Sequence, residues 1–166
     1  NFVGSEKLEK FFKLKNKFLS TKKKRRKIII AGNGGSAAIS SHISVDLTKN
    51  CEIRCINFNE YDLITCFAND FGYEKWLQKA IEYYHDPGDC VVLLSSSGKS
   101  KNIINAAKYA KKKGLYLITF SGFNSKNKLR SLGKLNFWIN SNDYNVVENI
   151  HQIWLLSIVD SLLVKN

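Results

Sequence analysis

Two hydrophobic patterns alternate along the chain. Short runs of aliphatic, largely β-branched residues closed by small polar ones predict strands at Lys27–Ala31, Cys90–Leu94 and Leu115–Phe120. Less continuous runs add strands at Cys51–Phe58 and Leu135–Ile139. Between them apolar residues recur at three- and four-residue spacing, the period of a helix with one buried face. That spacing predicts helices over Phe2–Leu19, from the glycine-rich stretch to about Lys49, over Tyr61–Phe67 and Glu74–Tyr84, from Ser100 to about Lys113, and over Asn145–Val164. Gly114 stands where a C′ glycine would end the fifth of these, and His85–Asp89 is a break. Asn69–Tyr73 (NDFGY) is expected to be a polar turn with aromatics, placed for a site loop. Strands that alternate with helices imply βαβ units around a parallel sheet. Cys90–Leu94 is apolar at every position, as in a strand covered on both faces. No linker or repeat divides the chain, so residues 1–166 are expected to form a single domain.

Composition narrows the class. At 166 residues and 44% hydrophobic, the chain can bury a sizeable core. No apolar run approaches the ~18–20 residues of a membrane span, and no signal peptide is visible at the start, so a cytoplasmic protein without a membrane partner is expected. The chain contains no Met, so its first residue is taken as processed, trimmed or left out. Cys51, Cys55, Cys66 and Cys90 form no CxxC pair and are expected to be reduced thiols. The net charge of +12 raises nucleic acid as a partner. The lysines, however, are spread over helical surfaces, with one cluster at Lys22–Lys27, and no recognition helix, zinc finger or aromatic RNA-binding signature accompanies them. A solvated basic face, or attraction for anionic metabolites, is the preferred reading.

Candidate chemistry gathers at three places. After the first strand, Gly32-Asn33-Gly34-Gly35-Ser36 leads into a helix, whose first N–H groups and dipole favour an anion. This loop formally fits the G-x-G-x-x-A of dinucleotide-binding folds through Gly32, Gly34 and Ala37, but the end of the second strand (Asn57-Phe58-Asn59) lacks the acidic residue that would hold a ribose. After the third strand, Ser95–Ser100 (SSSGKS) offers four hydroxyls where an ordinary helix N-cap needs one, which favours a phosphate cradle. It is not a Walker loop, because one glycine alone precedes Lys99. Two further pairs lie on helices: His42 and Asp46 at i, i+4, and Glu148 and His151 at i, i+3. Each pair is expected to share a helix face. A divalent metal would need all of them to converge.

These residues resemble a known family. Gly32–Thr48 (GNGGSAAISSHISVDLT), Asn69–Tyr73 and Ser95–Ser100, in that order, look like a sugar isomerase (SIS) domain, most of all the phosphoheptose isomerases, and the resemblance runs from about Lys27 to the C-terminus. It implies an α/β fold, a three-layer αβα sandwich with a five-stranded parallel sheet of the flavodoxin/Rossmann-like kind. It also implies a homodimer or homotetramer whose active sites lie between subunits, with the N-terminal helix at residues 1–24 used in oligomer packing. The implied reaction is aldose–ketose isomerisation of sedoheptulose 7-phosphate, in heptose and cell-surface glycan precursor synthesis.

Carried over position by position, the resemblance puts phosphate contacts on Ser95, Ser96, Ser97 and Ser100, sugar contacts on Asn33, Gly34 and Ser36, and further substrate contacts on Asn69 and Asp70. His42 falls on a metal-ligand position of zinc-containing members, which makes His42, Asp46 and Glu148 the candidate metal set and zinc an optional cofactor. The chain departs from the family at three positions. Asp46 stands where the isomerases have a catalytic Glu, Glu148 where they have Gln, and Leu156 where they have a catalytic His. Asp46 is therefore expected to act as base, with His151 as acid and Glu148 able to orient or replace it. A non-catalytic SIS module that binds a sugar phosphate or a protein partner is the alternative, with Leu156 as its best support.

Overall fold

The computed structural model describes residues 5–164. Its elements are α1 (Ser5–Lys23), β1 (Ile28–Ala31), α2 (Gly35–Lys49), β2 (Cys55–Ile56), α3 (Tyr61–Phe71), α4 (Trp76–Tyr84), β3 (Cys90–Ser95), α5 (Lys101–Lys112), β4 (Tyr116–Ser121), β5 (Leu135–Trp138) and α6 (Tyr144–Leu163). The strands form one five-stranded parallel sheet in the order β2-β1-β3-β4-β5.

Alternation along the strands divides the core in two. Ile28, Ile30, Val92, Leu94, Ile118 and Phe120 point to the layer built by α1, α2 and α6. Ile29, Val91, Leu93 and Leu117 point to the opposite layer, built by α4 and α5 with α3 at its margin. This is why β1 and Cys90–Leu94 of β3 are apolar at every position: each successive side chain enters a different core. The result is the three-layer αβα sandwich that the resemblance implies. Gly114 has φ +70 and ends α5, the left-handed position that favours glycine.

The strand order fixes where a ligand can bind. Connections from β1 lead to β2 on one side, and those from β3 lead to β4 on the other. The carboxyl ends of β1 and β3 therefore diverge and open a crevice, the usual ligand position in such sheets.

Four expectations change. The strand expected at Cys51–Phe58 shrinks to Cys55–Ile56, because the chain before it wraps the end of α2: the Cys51 and Ile53 N–H groups donate to the Asp46 and Leu47 carbonyls. Asn69 and Asp70 lie within α3 and not in a turn, since that helix continues to Phe71. The expected first helix begins partly outside the described residues, and α1 runs on to Lys23. Finally, α6 is long enough and, with mean hydropathy 1.2, apolar enough to cross a membrane by composition. Here its Val147, His151, Leu155 and Ile158 face the sheet, so the apolar composition serves packing on one side.

Candidate active site

The loop after β1 is tight. Gly32 lies so close to the first turn of α2 that a Cβ on it would meet the Ser36 Cβ at 2.5 Å, and Gly34, at φ +53, caps α2 without a side-chain hydrogen bond. The loop after β3 is closed by a turn in which the Gly98 N–H donates to the Ser95 carbonyl at 2.9 Å. Ser100 occupies the N-cap of α5, yet its hydroxyl does not cap the helix; it lies 3.1 Å from the Ser95 hydroxyl. Two helix N-termini without side-chain caps thus flank the crevice, each a place where free N–H groups favour an anion. The two loops are locked together. The Asn33 and Asn102 amides each donate to the other's carbonyl oxygen at 2.9 Å, a reciprocal pair across the crevice.

The third wall comes from α6. The Glu148 carboxylate lies against Gly35, in the first turn of α2, where a Cβ would be 2.0 Å from its Oε2. Ser96 donates to Glu148 Oε1 at 3.4 Å. From there a cleft of about 350 Å³ runs between α2 and α6, with small or apolar Gly35, Ala38 and Ile39 on one side and polar Asn145, Glu148, Asn149 and Gln152 on the other. His42 lines the same cleft, and its Nε2 lies 3.3 Å from Asp46 Oδ2. A carboxylate and an imidazole in contact can pass a proton between them, which makes this pair a candidate acid–base element.

Several residues singled out in the sequence sit elsewhere than expected. Ser36 is buried beneath Gly32 and does not face the crevice. Asn33 is committed to Asn102. Ser96 is buried and turned to Glu148, which leaves Ser97, half-exposed beside the Lys99 N–H, and Ser100 at the mouth of α5. Asn69 and Asp70 are exposed on α3, where Asn69 donates to Asp70 at 3.0 Å and Cys66 lies 3.8 Å from the Asp70 carboxylate. They stay on that outer face. The candidate metal set is not assembled within one chain: among the described residues no three His, Cys, Asp or Glu side chains form a metal-binding group. Glu148 lies beside Gly35, whereas Asp46 is eleven residues further along α2, about 16 Å at the helical rise per residue. Asp46 and Glu148 are thus too far apart in one chain to share an ion.

His151 changes role most. It is fully buried between Phe120 and Trp154, its Nε2 lies 3.2 Å from the Ser121 carbonyl, and its Nδ1 has no hydrogen-bond partner among the described residues. It cannot reach a sugar in the cleft. Burial disfavours the charged ring and lowers its pKa from 6.5 to about 4, only partly offset by the Ser121 bond. The unfolded chain therefore takes up this proton before the folded one does. His151 contributes stability above pH 6.5 that is lost as pH falls toward 4, on the order of 3 kcal/mol in full. His151→Leu is expected to flatten the fall in urea-unfolding midpoint between pH 7 and pH 4.5; a fall as steep as that of the wild type would contradict this role.

Three residues central to the site went unnoticed in the sequence. Asn102 and Asn127 are lone polar residues with no periodic signal, and Gly35 reads as one more loop glycine. Asn127, buried, bonds Ser121, the Gly122 and Asn124 carbonyls and the Arg130 N–H, and so braces the serine loop from behind Gly98. The polar wall of the cleft was legible: Asn145, Glu148, Asn149 and Gln152 recur at helical spacing in the first half of a largely apolar helix. Glu148 also weighs against the dinucleotide reading, because it sets a carboxylate beside the start of α2, where a pyrophosphate would meet a like charge.

Comparison with known proteins agrees with this architecture. A family model described as a SIS domain matches residues 3–122. The phosphoheptose isomerase of Fusobacterium nucleatum subsp. nucleatum is 33% identical over 107 residues, which are 64% of this chain and 55% of that protein. A probable phosphoheptose isomerase of Thermoplasma acidophilum is 34% identical over 88 residues, 53% of this chain and 48% of that one. The chain thus spans about half the length of these curated relatives. Among solved structures, phosphoheptose isomerase GmhA from Neisseria gonorrhoeae superposes with a TM-score of 0.87 at 23% identity, covering 93% of this chain and 85% of that one. At that identity the likeness speaks for the fold.

Proposed function

The chain belongs to the SIS domain family, and from that premise we propose that it is a phosphosugar aldose–ketose isomerase of the sedoheptulose 7-phosphate type, serving heptose and cell-surface glycan precursor synthesis. The observation that carries this reading is the crevice itself. Two helix N-termini without side-chain caps and the serine loop converge at the switch point of the sheet, and His42, paired with Asp46, lines the cleft that begins beside Glu148. Relatives named phosphoheptose isomerase support the choice of sugar.

In this reading the phosphate docks at the start of α5 on Ser97 and Ser100, and the sugar extends into the cleft between α2 and α6. Isomerisation requires a base to take the proton from the carbon next to the carbonyl, and a proton on the oxygen that gains charge. The His42–Asp46 pair supplies both, with Asp46 as base. Anchoring the phosphate fixes the reacting carbons against that pair. Conversion of sedoheptulose 7-phosphate into an aldoheptose 7-phosphate by the purified protein, followed by NMR, tests the reading. Binding without conversion would favour the alternative, a non-catalytic sugar-phosphate module. The burial of His151 and the apolar side chain of Leu156 are the observations on its side, since neither gives α6 a proton to transfer into the cleft.

The site is completed by a second copy of the chain, in a dimer or tetramer of single-domain subunits with residues 1–24 in the packing. Leu8 and Phe12 on α1 and Ile153 on α6 are exposed and apolar, and Phe12 is 63% accessible. Phe12→Glu is expected to lower the mass measured by light scattering without loss of helical content; an unchanged mass would remove α1 from the interface. Free Cys51, Cys55, Cys66 and Cys90 support a reducing, cytoplasmic setting.

A further inference from the structure

Two helix N-termini meet at the crevice, and against the first turn of one of them this chain sets a carboxylate of its own, Glu148. We infer that Glu148 is a specificity-determining residue which restricts the site to sugar phosphates with a single anionic group. The inference rests on the sugar-phosphate reading and names its substrate class: aldose and ketose monophosphates, with bisphosphates and phosphorylated sugar acids excluded.

An open helix N-terminus on each side of a switch point could hold two anions. At α5, Ser97 and Ser100 leave that position accessible. At α2 a carboxylate already stands against the first turn. Gly35 has no Cβ, and the Glu148 carboxylate occupies the space one would fill, 2.0 Å from its ideal place. The Ser96 hydroxyl, which could have served a phosphate, donates to this carboxylate instead. Among the described residues no cation is ion-paired with Glu148; His42, in the same cleft, is engaged with Asp46. A sugar anchored by its phosphate at α5 extends past an unneutralised carboxylate. Hydroxyls can donate to it. A second phosphate, or a carboxylate at the far end of the sugar, meets a like charge in a confined cleft, where repulsion is only partly screened.

The test is titration calorimetry of the full chain, in chelator, with sedoheptulose 7-phosphate and sedoheptulose 1,7-bisphosphate. The wild type is expected to prefer the monophosphate by about tenfold or more. Glu148→Gln keeps the shape, removes the charge and should bring the two affinities within about threefold. Glu148→Asp keeps the charge and should keep the preference. Gly35→Ala, whose Cβ displaces the carboxylate, should act like Glu148→Gln and serves if that variant does not fold. A preference unchanged in both Glu148→Gln and Gly35→Ala, or missing in the wild type, overturns this role of Glu148 and leaves the isomerase reading standing. A wild type that binds neither sugar overturns that reading and this inference with it.

Discussion

Asp46→Asn is expected to lower isomerase turnover by about 10³-fold, roughly 4 kcal/mol in the barrier, while the affinity for the sugar phosphate stays within about twofold. The separation follows from position. In the proposed reading the phosphate is held at the start of α5 by hydroxyls and helix N–H groups, whereas Asp46 lies three turns down α2, beside His42. Removing the carboxylate takes away the base and leaves the phosphate anchor in place. Asp46→Glu restores a carboxylate with one more methylene and should recover part of the rate. Measured kcat and a separately measured Kd check the prediction. Equal losses in both would mean that Asp46 binds the sugar, and unchanged turnover would remove it from the mechanism.

Gly98→Ala should cost the site its shape and the protein about 3 kcal/mol of stability. Gly98 has φ +64, where an alanine is strained by about 1 kcal/mol. Most of the destabilisation comes from the clash with Asn127. A Cβ at position 98 would lie 2.1 Å from its Oδ1 and 2.3 Å from its Cγ, and Asn127 is buried with bonds to Ser121, Gly122, Asn124 and Arg130, so it has nowhere to move. Breaking this brace strands buried polar groups, at about 1–3 kcal/mol each. For a chain of this size the expected fall in melting temperature is about 10 °C. Binding of sugar phosphate should fall with it, because the serine loop is shaped by the same turn. A variant that melts like the wild type would show that Asn127 does not brace the loop.

Much of this architecture could be read from pattern alone, and the failures have physical causes. Ile28–Ala31, Cys90–Ser95 and Tyr116–Ser121 announce themselves because central parallel strands are apolar on both faces. Cys51–Phe58 has the composition of a strand, but most of it wraps the end of α2, a tertiary demand that periodicity does not record. On α6, three-residue spacing put Glu148 and His151 on one face. They lie about 60° apart around the helix, and the boundary between core and cleft runs between them. One became a cleft carboxylate and the other a buried imidazole. The site was legible as motifs, not as contacts. Gly32–Ser36 and Ser95–Ser100 were visible as anion loops, but the Asn33–Asn102 bridge and the contact of Glu148 with Gly35 join residues far apart in the chain, and no local pattern encodes them.

The central claim is that this crevice takes a proton from a phosphorylated sugar. The most direct measurement is proton exchange: purified protein and sedoheptulose 7-phosphate in heavy water, followed by NMR. The expected result is solvent deuterium at the carbon next to the carbonyl, and none when Asp46→Asn replaces the wild type. Sugar phosphate that binds, seen by saturation transfer, yet takes up no deuterium with the wild-type protein would contradict it.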